Sequence, residues 1–161
     1  ILDDLGYRVS APALSSLMDV VRLGTFAVLG FWPGWHDRRW PVVAGMIGLP
    51  VGFLLAVSGA NLPIVLAGEV AFGLAAGMVY YAAIYYAMVV KNASVAAGGG
   101  HEGLIGLGFA IGPLAGLAGV ALHDAVHSAL LGTLLGALPV LLLCTGGALR
   151  ALAATAPRGD T

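Results

Sequence analysis

Five apolar runs, each about as long as a bilayer crossing, fill most of this chain and decide what it can fold into. They are Pro12 to Trp32, Pro41 to Ala60, Pro63 to Val90, Leu104 to Leu122 and Ser128 to Leu149. At 1.5 Å per residue, about 20 residues cross a hydrocarbon core roughly 30 Å thick. Only the first run holds more than one ionisable group at depth. A soluble domain with 60% hydrophobic and 9% charged residues would have far more apolar surface than it could hide. A bilayer removes that problem. The runs are continuously apolar rather than alternating, which favours helices over a barrel, because a helix satisfies its backbone polar groups within each segment. The expected fold class is therefore an all-α membrane protein with five transmembrane helices. The 25 glycines fit it, since small residues let membrane helices approach closely.

The basic residues suggest an orientation. Arg38, Arg39, Lys91, Arg150 and Arg158 lie beyond the first, third or fifth run. By the positive-inside rule the amino end faces out and the carboxyl end faces the cytoplasm. The turn at Ser58 to Leu62 and the segment His123 to His127 then lie outside. This points to an integral protein of the plasma (inner) membrane. Residues 1–150 form the transmembrane domain, and residues 151–161, with Pro157 and Gly159, are expected to be a short disordered cytoplasmic tail. Residues 1–10 read as a loop cut from a longer protein. Cys144, the lone cysteine, reads as a small core residue. A net charge of −1 gives no reason to expect nucleic acid as a partner.

The costliest residues mark the candidate sites. Asp19 and Arg22, near the middle of the first run, stand at i and i+3, and Ser15, Asp19, Arg22 and Phe26 share one helical face. That face belongs against protein or a wet cavity, either as a structural ion pair or as a cavity lining. In the third run Glu69, Gly73, Ala76 and Tyr80 stack on one face, with Tyr81, Tyr85 and Met88 on its flank. A desolvated, unpartnered carboxyl at Glu69 suits a proton carrier, whereas pairing with Arg22 would keep it ionised. The tyrosines line a substrate path or simply pack. Asp19, Arg22, Glu69, Tyr80, Tyr81 and Tyr85 are thus the substrate-path candidates.

Two inner loops complete the pattern. Gly34-Trp35-His36-Asp37-Arg38-Arg39-Trp40-Pro41 is short, with acid and base adjacent at the membrane surface. Gly34, Asp37, Arg38 and Arg39 form a candidate cytoplasmic gate. Lys91 to His101 reads as a longer loop. It runs into Gly98-Gly99-Gly100-His101-Glu102-Gly103, whose letters fit G-x-G-x-x-G without the strand and βαβ unit that a dinucleotide site needs. His123-Asp124-x-x-His127 has metal-ligand spacing but sits where polar turn residues are expected, so no metal is assigned. Asn92-Ala93-Ser94 fits a glycosylation pattern on the side taken as cytoplasmic. In the fourth run Gly108, Gly112-Pro113 and Gly116 describe a bendable, closely packing helix.

The Asp37-Arg38-Arg39 loop, the Gly108-x-x-x-Gly112-Pro113-x-x-Gly116 helix and the order of the runs resemble the carboxyl-terminal half of a major facilitator superfamily transporter. The resemblance aligns the five runs with that family's eighth to twelfth helices. The family's loop glycine stands four residues before the aspartate, whereas Gly34 stands three before Asp37, and Leu117 occupies a place often held by a glycine. The resemblance implies part of a six-helix half, with an absent amino-terminal half as partner and alternating access around a shared central site. The implied function is secondary active or facilitative transport of a small molecule, with protons as a candidate coupling ion and no bound cofactor. The alternative is a non-transporting membrane partner or scaffold derived from such a half. An enzyme is not expected, since the runs show neither a nucleophile with its base nor a two-His metal site.

Overall fold

Proline punctuates the chain at the helix starts, where its missing N–H costs nothing. Pro33 opens a short 3₁₀ turn, Pro33–Trp35, and Pro41 and Pro63 each sit in the first two positions of a helix. The computed structural model describes residues 6, 13–14, 16–90 and 95–154. Its five helices are α1 (Leu17–Phe31), α2 (Trp40–Ser58), α3 (Leu62–Tyr85), α4 (Val95–Val126) and α5 (Ala129–Ala154), and the described residues contain no strand. A π-helical turn, Tyr86–Val90, continues α3. Asn61 caps α3 by accepting a hydrogen bond from the Ile64 amide at 3.2 Å, and Ser128 does the same for Leu131 at the start of α5 at 3.3 Å.

Close helix approach at small residues builds the bundle. α3 runs antiparallel to α2, as the pairings Gly45 with Val79, Gly52 with Phe72 and Gly59 with Val65 show. It runs parallel to α1, with Gly73 against Met18 and Val21, and Gly77 against Thr25 and the Arg22 carbonyl. α3 therefore presents Gly68 to α2 and Gly73 and Gly77 to α1, and it is the central element of a three-helix unit. α4 and α5 form a second antiparallel unit, in which Gly119 meets Gly132 and Gly136 meets Ala115. α5 packs on α2, and α4 touches the π-helical turn.

Among the described residues three helices are long and apolar enough to cross a membrane: Trp40–Ser58, Leu62–Tyr85 and, within α5, Leu130–Arg150. In the last of these only 11% of the most apolar window is buried by the rest of the chain. Leucines such as Leu117 and Leu143 stand largely exposed. A surface of that kind fits insertion into a bilayer.

Several expected boundaries move. α1 as described covers 15 residues, about 22 Å; Ala13 and Leu14 before it are also helical, and Pro12 and Ser15 of the expected run lie outside the described residues. Ser16 precedes the start of α1 without a side-chain cap, its hydroxyl donating back to the Ala13 carbonyl, and Trp32 leaves the helix in extended geometry because the residue before a proline avoids the helical region. The expected inner loop, Lys91 to His101, is helical from Val95 onward, so the Gly98-to-Gly103 letter match lies on a helix. Residues 91–94 fall outside the described residues. The segment expected to be external, His123 to His127, is also helical as far as Val126. The chain reverses only at His127, which takes a left-handed φ of 51°. No proline precedes Pro113 in α4, and continued backbone bonding outweighs the glycine-rich start. At the carboxyl end Ala151 to Ala154 extend α5, and the rest of the expected tail, 155–161, lies outside the described residues.

Candidate functional site

The α1–α3 seam brings together most of the intramembrane candidates. Asp19 and Arg22 form an ion pair at 2.9 Å, one helical turn apart, with side chains 53% and 43% exposed. Half-exposed charges on a helix whose other outward residues include Val20, Leu23 and Phe31 need water or a polar surface beside them. Phe26, one turn further along α1, stacks on Tyr80 of α3 with ring centroids 5.5 Å apart. The two faces inferred from helical periodicity therefore meet at this pair.

Glu69 lies on α3, one turn before Gly73. Arg22 pairs with Asp19, and among the described residues no ion pair joins it to Glu69. One carboxyl oxygen of Glu69, Oε2, is buried and has no hydrogen-bond partner. Buried polar atoms are normally satisfied, and an unsatisfied one calls for a reason. A carboxyl group with an unused oxygen inside a membrane-length helix can take up and release a proton, or accept a donor brought by another helix or by a substrate.

The second cluster is the connection between α1 and α2. Its centre is Trp35, fully buried at 0% exposure, whose indole Nε1–H donates to the Leu29 carbonyl at 2.8 Å. The Trp35 ring meets Tyr81 and Tyr85 edge-on at 5.7 and 4.9 Å, and His36 stacks on Tyr85 at 4.3 Å with the rings nearly parallel. Tyr86 donates its hydroxyl hydrogen to the Arg38 carbonyl at 3.1 Å. Tyr81 and Tyr85 thus pack the loop onto α3, while Tyr80 serves the α1–α3 seam. A Cβ at Gly34 would come within 2.7 Å of the Trp32 indole nitrogen, so a larger residue there would displace that half-exposed ring. Asp37 takes a left-handed φ of 60°, and Asp37, Arg38 and Arg39 are all exposed. The charges of the gate candidate sit on a loop that aromatic packing holds in place.

An apolar groove of about 370 Å³ opens between α1, the start of α2 and α3, walled by Val21, Val28, Trp32, Trp40, Leu74 and Met78. None of the ionisable candidates lines it. On α4, Gly112 and Gly116 face open space, with nothing within 4 Å of a Cβ added at either. Pro113 lies within the same helix, as does Gly108. Among the described residues no group of three His, Cys, Asp or Glu side chains could hold a metal. The side chains of His123 and Asp124 fall outside the described ones. Cys144 is exposed, in contrast to the expectation of a core residue, because α5 turns that face away from α2 and α4.

In the sequence Trp35 and His36 appear only as members of the short Gly34 to Pro41 loop, with no role of their own. Sequence reasoning passed over Thr145, which donates from α5 to the Met46 carbonyl of α2 at 3.1 Å. Pro50, four residues after Met46, was the available signal, since it removes that carbonyl's helical partner. Comparison of the chain with protein-family models, with curated proteins and with solved structures finds no match.

Proposed function

We propose that this chain is the membrane-embedded carboxyl-terminal part of a secondary transporter of the major facilitator type, which moves a small molecule across the plasma membrane by alternating access, with Glu69 as its proton-carrying group. The observation that carries this reading is the buried, unpartnered Oε2 of Glu69 on a helix otherwise long and apolar enough to span. Ionisable groups inside membrane helices are expensive, and in bundles they mark substrate and proton paths. Asp19 and Arg22, half-exposed on the neighbouring helix, add polar groups on the side where a second half of the protein would close the path. All five helices cross the membrane in this reading, α1 and α4 with the help of neighbours outside the chain, and the carboxyl end faces the cytoplasm. Its natural partners are the bilayer, the amino-terminal half, the small-molecule substrate and protons.

The test uses the complete protein in liposomes. Glu69→Gln should abolish accumulation driven by a pH gradient while sparing substrate exchange, because a permanently neutral side chain mimics only the protonated state. Thermal stability in detergent should stay near that of the wild type, since no ion pair is broken. If uptake falls only in proportion to lost folded protein, Glu69 is structural. If the wild-type protein moves no substrate at all, the scaffold reading takes its place.

A further inference from the structure

We propose that the α4–α5 hairpin is a movable unit held to α1–α3 by a hydrogen-bond clasp, in which Thr145 occupies the carbonyl that Pro50 leaves free. The inference concerns a mechanical device and does not rest on the transport reading.

Pro50 lies inside α2 and has no N–H, so the Met46 carbonyl four residues earlier lacks its intrahelical donor. In a bilayer no water replaces that donor, and neighbouring helices must supply one. Thr145 does so: its Oγ1–H points to the Met46 oxygen at 3.1 Å, with Thr145 only 9% exposed and Pro50 buried. A helical threonine ordinarily returns its hydroxyl to its own backbone, as Thr25 does to the Val21 carbonyl at 2.8 Å. The same option is open to Thr145 at the Leu141 carbonyl. Its hydroxyl is therefore satisfied whether the clasp is closed on Met46 or turned back on α5, and the cost of opening falls on the Met46 carbonyl, which gives up its donor and so favours the closed state.

The surrounding packing makes this bond a joint between two bodies. Within the first unit, backbone-close contacts lock α2 to α3 at Gly52 and α1 to α3 at Gly73, where an added Cβ would come within 2.5 Å of Phe72 N and 2.6 Å of Met18 O. Within the second, an added Cβ at Gly136 would come within 2.5 Å of Ala115 O. Neither interior can slide without steric cost. The α2–α5 contact instead carries a polar bond, Thr145 to Met46, that can change partner. The chain leaves α3 through the π-helical turn Tyr86–Val90, a turn type frequent at functional sites, ahead of residues 91–94, which lie outside the described residues. In the open state α2 bends at Pro50 and the hairpin moves away from it.

The test places one spin label on the native Cys144 and another on Ile47→Cys, both exposed, with the full chain in lipid nanodiscs. Wild-type chain should give one dominant α2–α5 distance. Thr145→Val keeps the shape and removes the donor, and should raise the ratio of long to short distances about three- to eighteen-fold, the range expected for an interhelical hydrogen bond in a membrane. Thr145→Ser, which retains the donor, should restore the wild-type distribution. Pro50→Ala returns an N–H to Met46, so in that background Thr145→Val should shift the ratio by less than about twofold, the added helical bond making the clasp redundant. An unchanged distribution in Thr145→Val overturns the proposal, as does an equal effect of Thr145→Val with and without Pro50→Ala.

Discussion

Replacing Trp35 should loosen the α1–α2 connection more than any change to its charges. The side chain is fully buried, with its indole hydrogen bonded to Leu29 and its ring against Tyr81 and Tyr85. A tryptophan buries on the order of 200 Å², and truncation of one to alanine typically costs about 3–5 kcal/mol, cavity included. The site lies at the end of α1, where the released loop would rest in the membrane interface rather than in bulk water, so Trp35→Ala should fall near the lower end, about 3 kcal/mol. Trp35→Phe keeps most of the ring but leaves the Leu29 carbonyl without its donor, a loss of about 1–2 kcal/mol. Reversible unfolding in mixed micelles, followed by circular dichroism, measures both. Amide exchange of His36 and Arg38 should rise in parallel, because their N–H groups bond to Pro33 and Trp35 within the turn that the indole anchors. If Trp35→Ala lies within about 0.5 kcal/mol of the wild type, as an ordinary surface substitution would, the loop is not held by this ring.

Other substitutions probe the same packing logic. Gly136→Ala should destabilise the α4–α5 hairpin by about 1–3 kcal/mol through overpacking, while Gly112→Ala, facing open space, should leave unfolding unchanged. Asn61→Ala removes the cap of α3 and should cost about 0.5–2 kcal/mol in the same unfolding assay. Asp37→Asn keeps a side chain that tolerates the left-handed φ of 60°, so membrane abundance should hold, and a loss of transport in the complete protein would then report the missing charge.

What could be read from the residues alone was set by the physics that dominates a membrane chain. Apolar run length reveals helices such as α2 and α3, because Pro41, Asn61 and Pro63 mark their starts by local chemistry. The same reasoning shortened α4. Whether a chain stays helical outside the hydrocarbon depends on neighbours and not on hydropathy, and glycine and histidine at Gly98 to His101 resemble a loop in composition. The Asp19–Arg22 pair follows from i, i+3 spacing, and its geometry forms as that spacing requires. Trp35 was invisible because burial at a helix end is a property of tertiary packing, and its indole carries no periodic signal. The Thr145–Met46 bond joins residues 99 positions apart, and only the proline's missing N–H hints that a donor is needed somewhere.

The account depends first on the chain crossing a bilayer with its α1–α2 loop and its α2–α3 turn on opposite faces. Single cysteines at Asp37, Ala60 and His127, all exposed, in a Cys144→Ala background expressed in intact cells, address this with an impermeant thiol reagent. The account predicts labelling of Ala60→Cys and His127→Cys from outside, and of Asp37→Cys only after the membrane is permeabilised. Equal external labelling of Asp37→Cys and Ala60→Cys would contradict it.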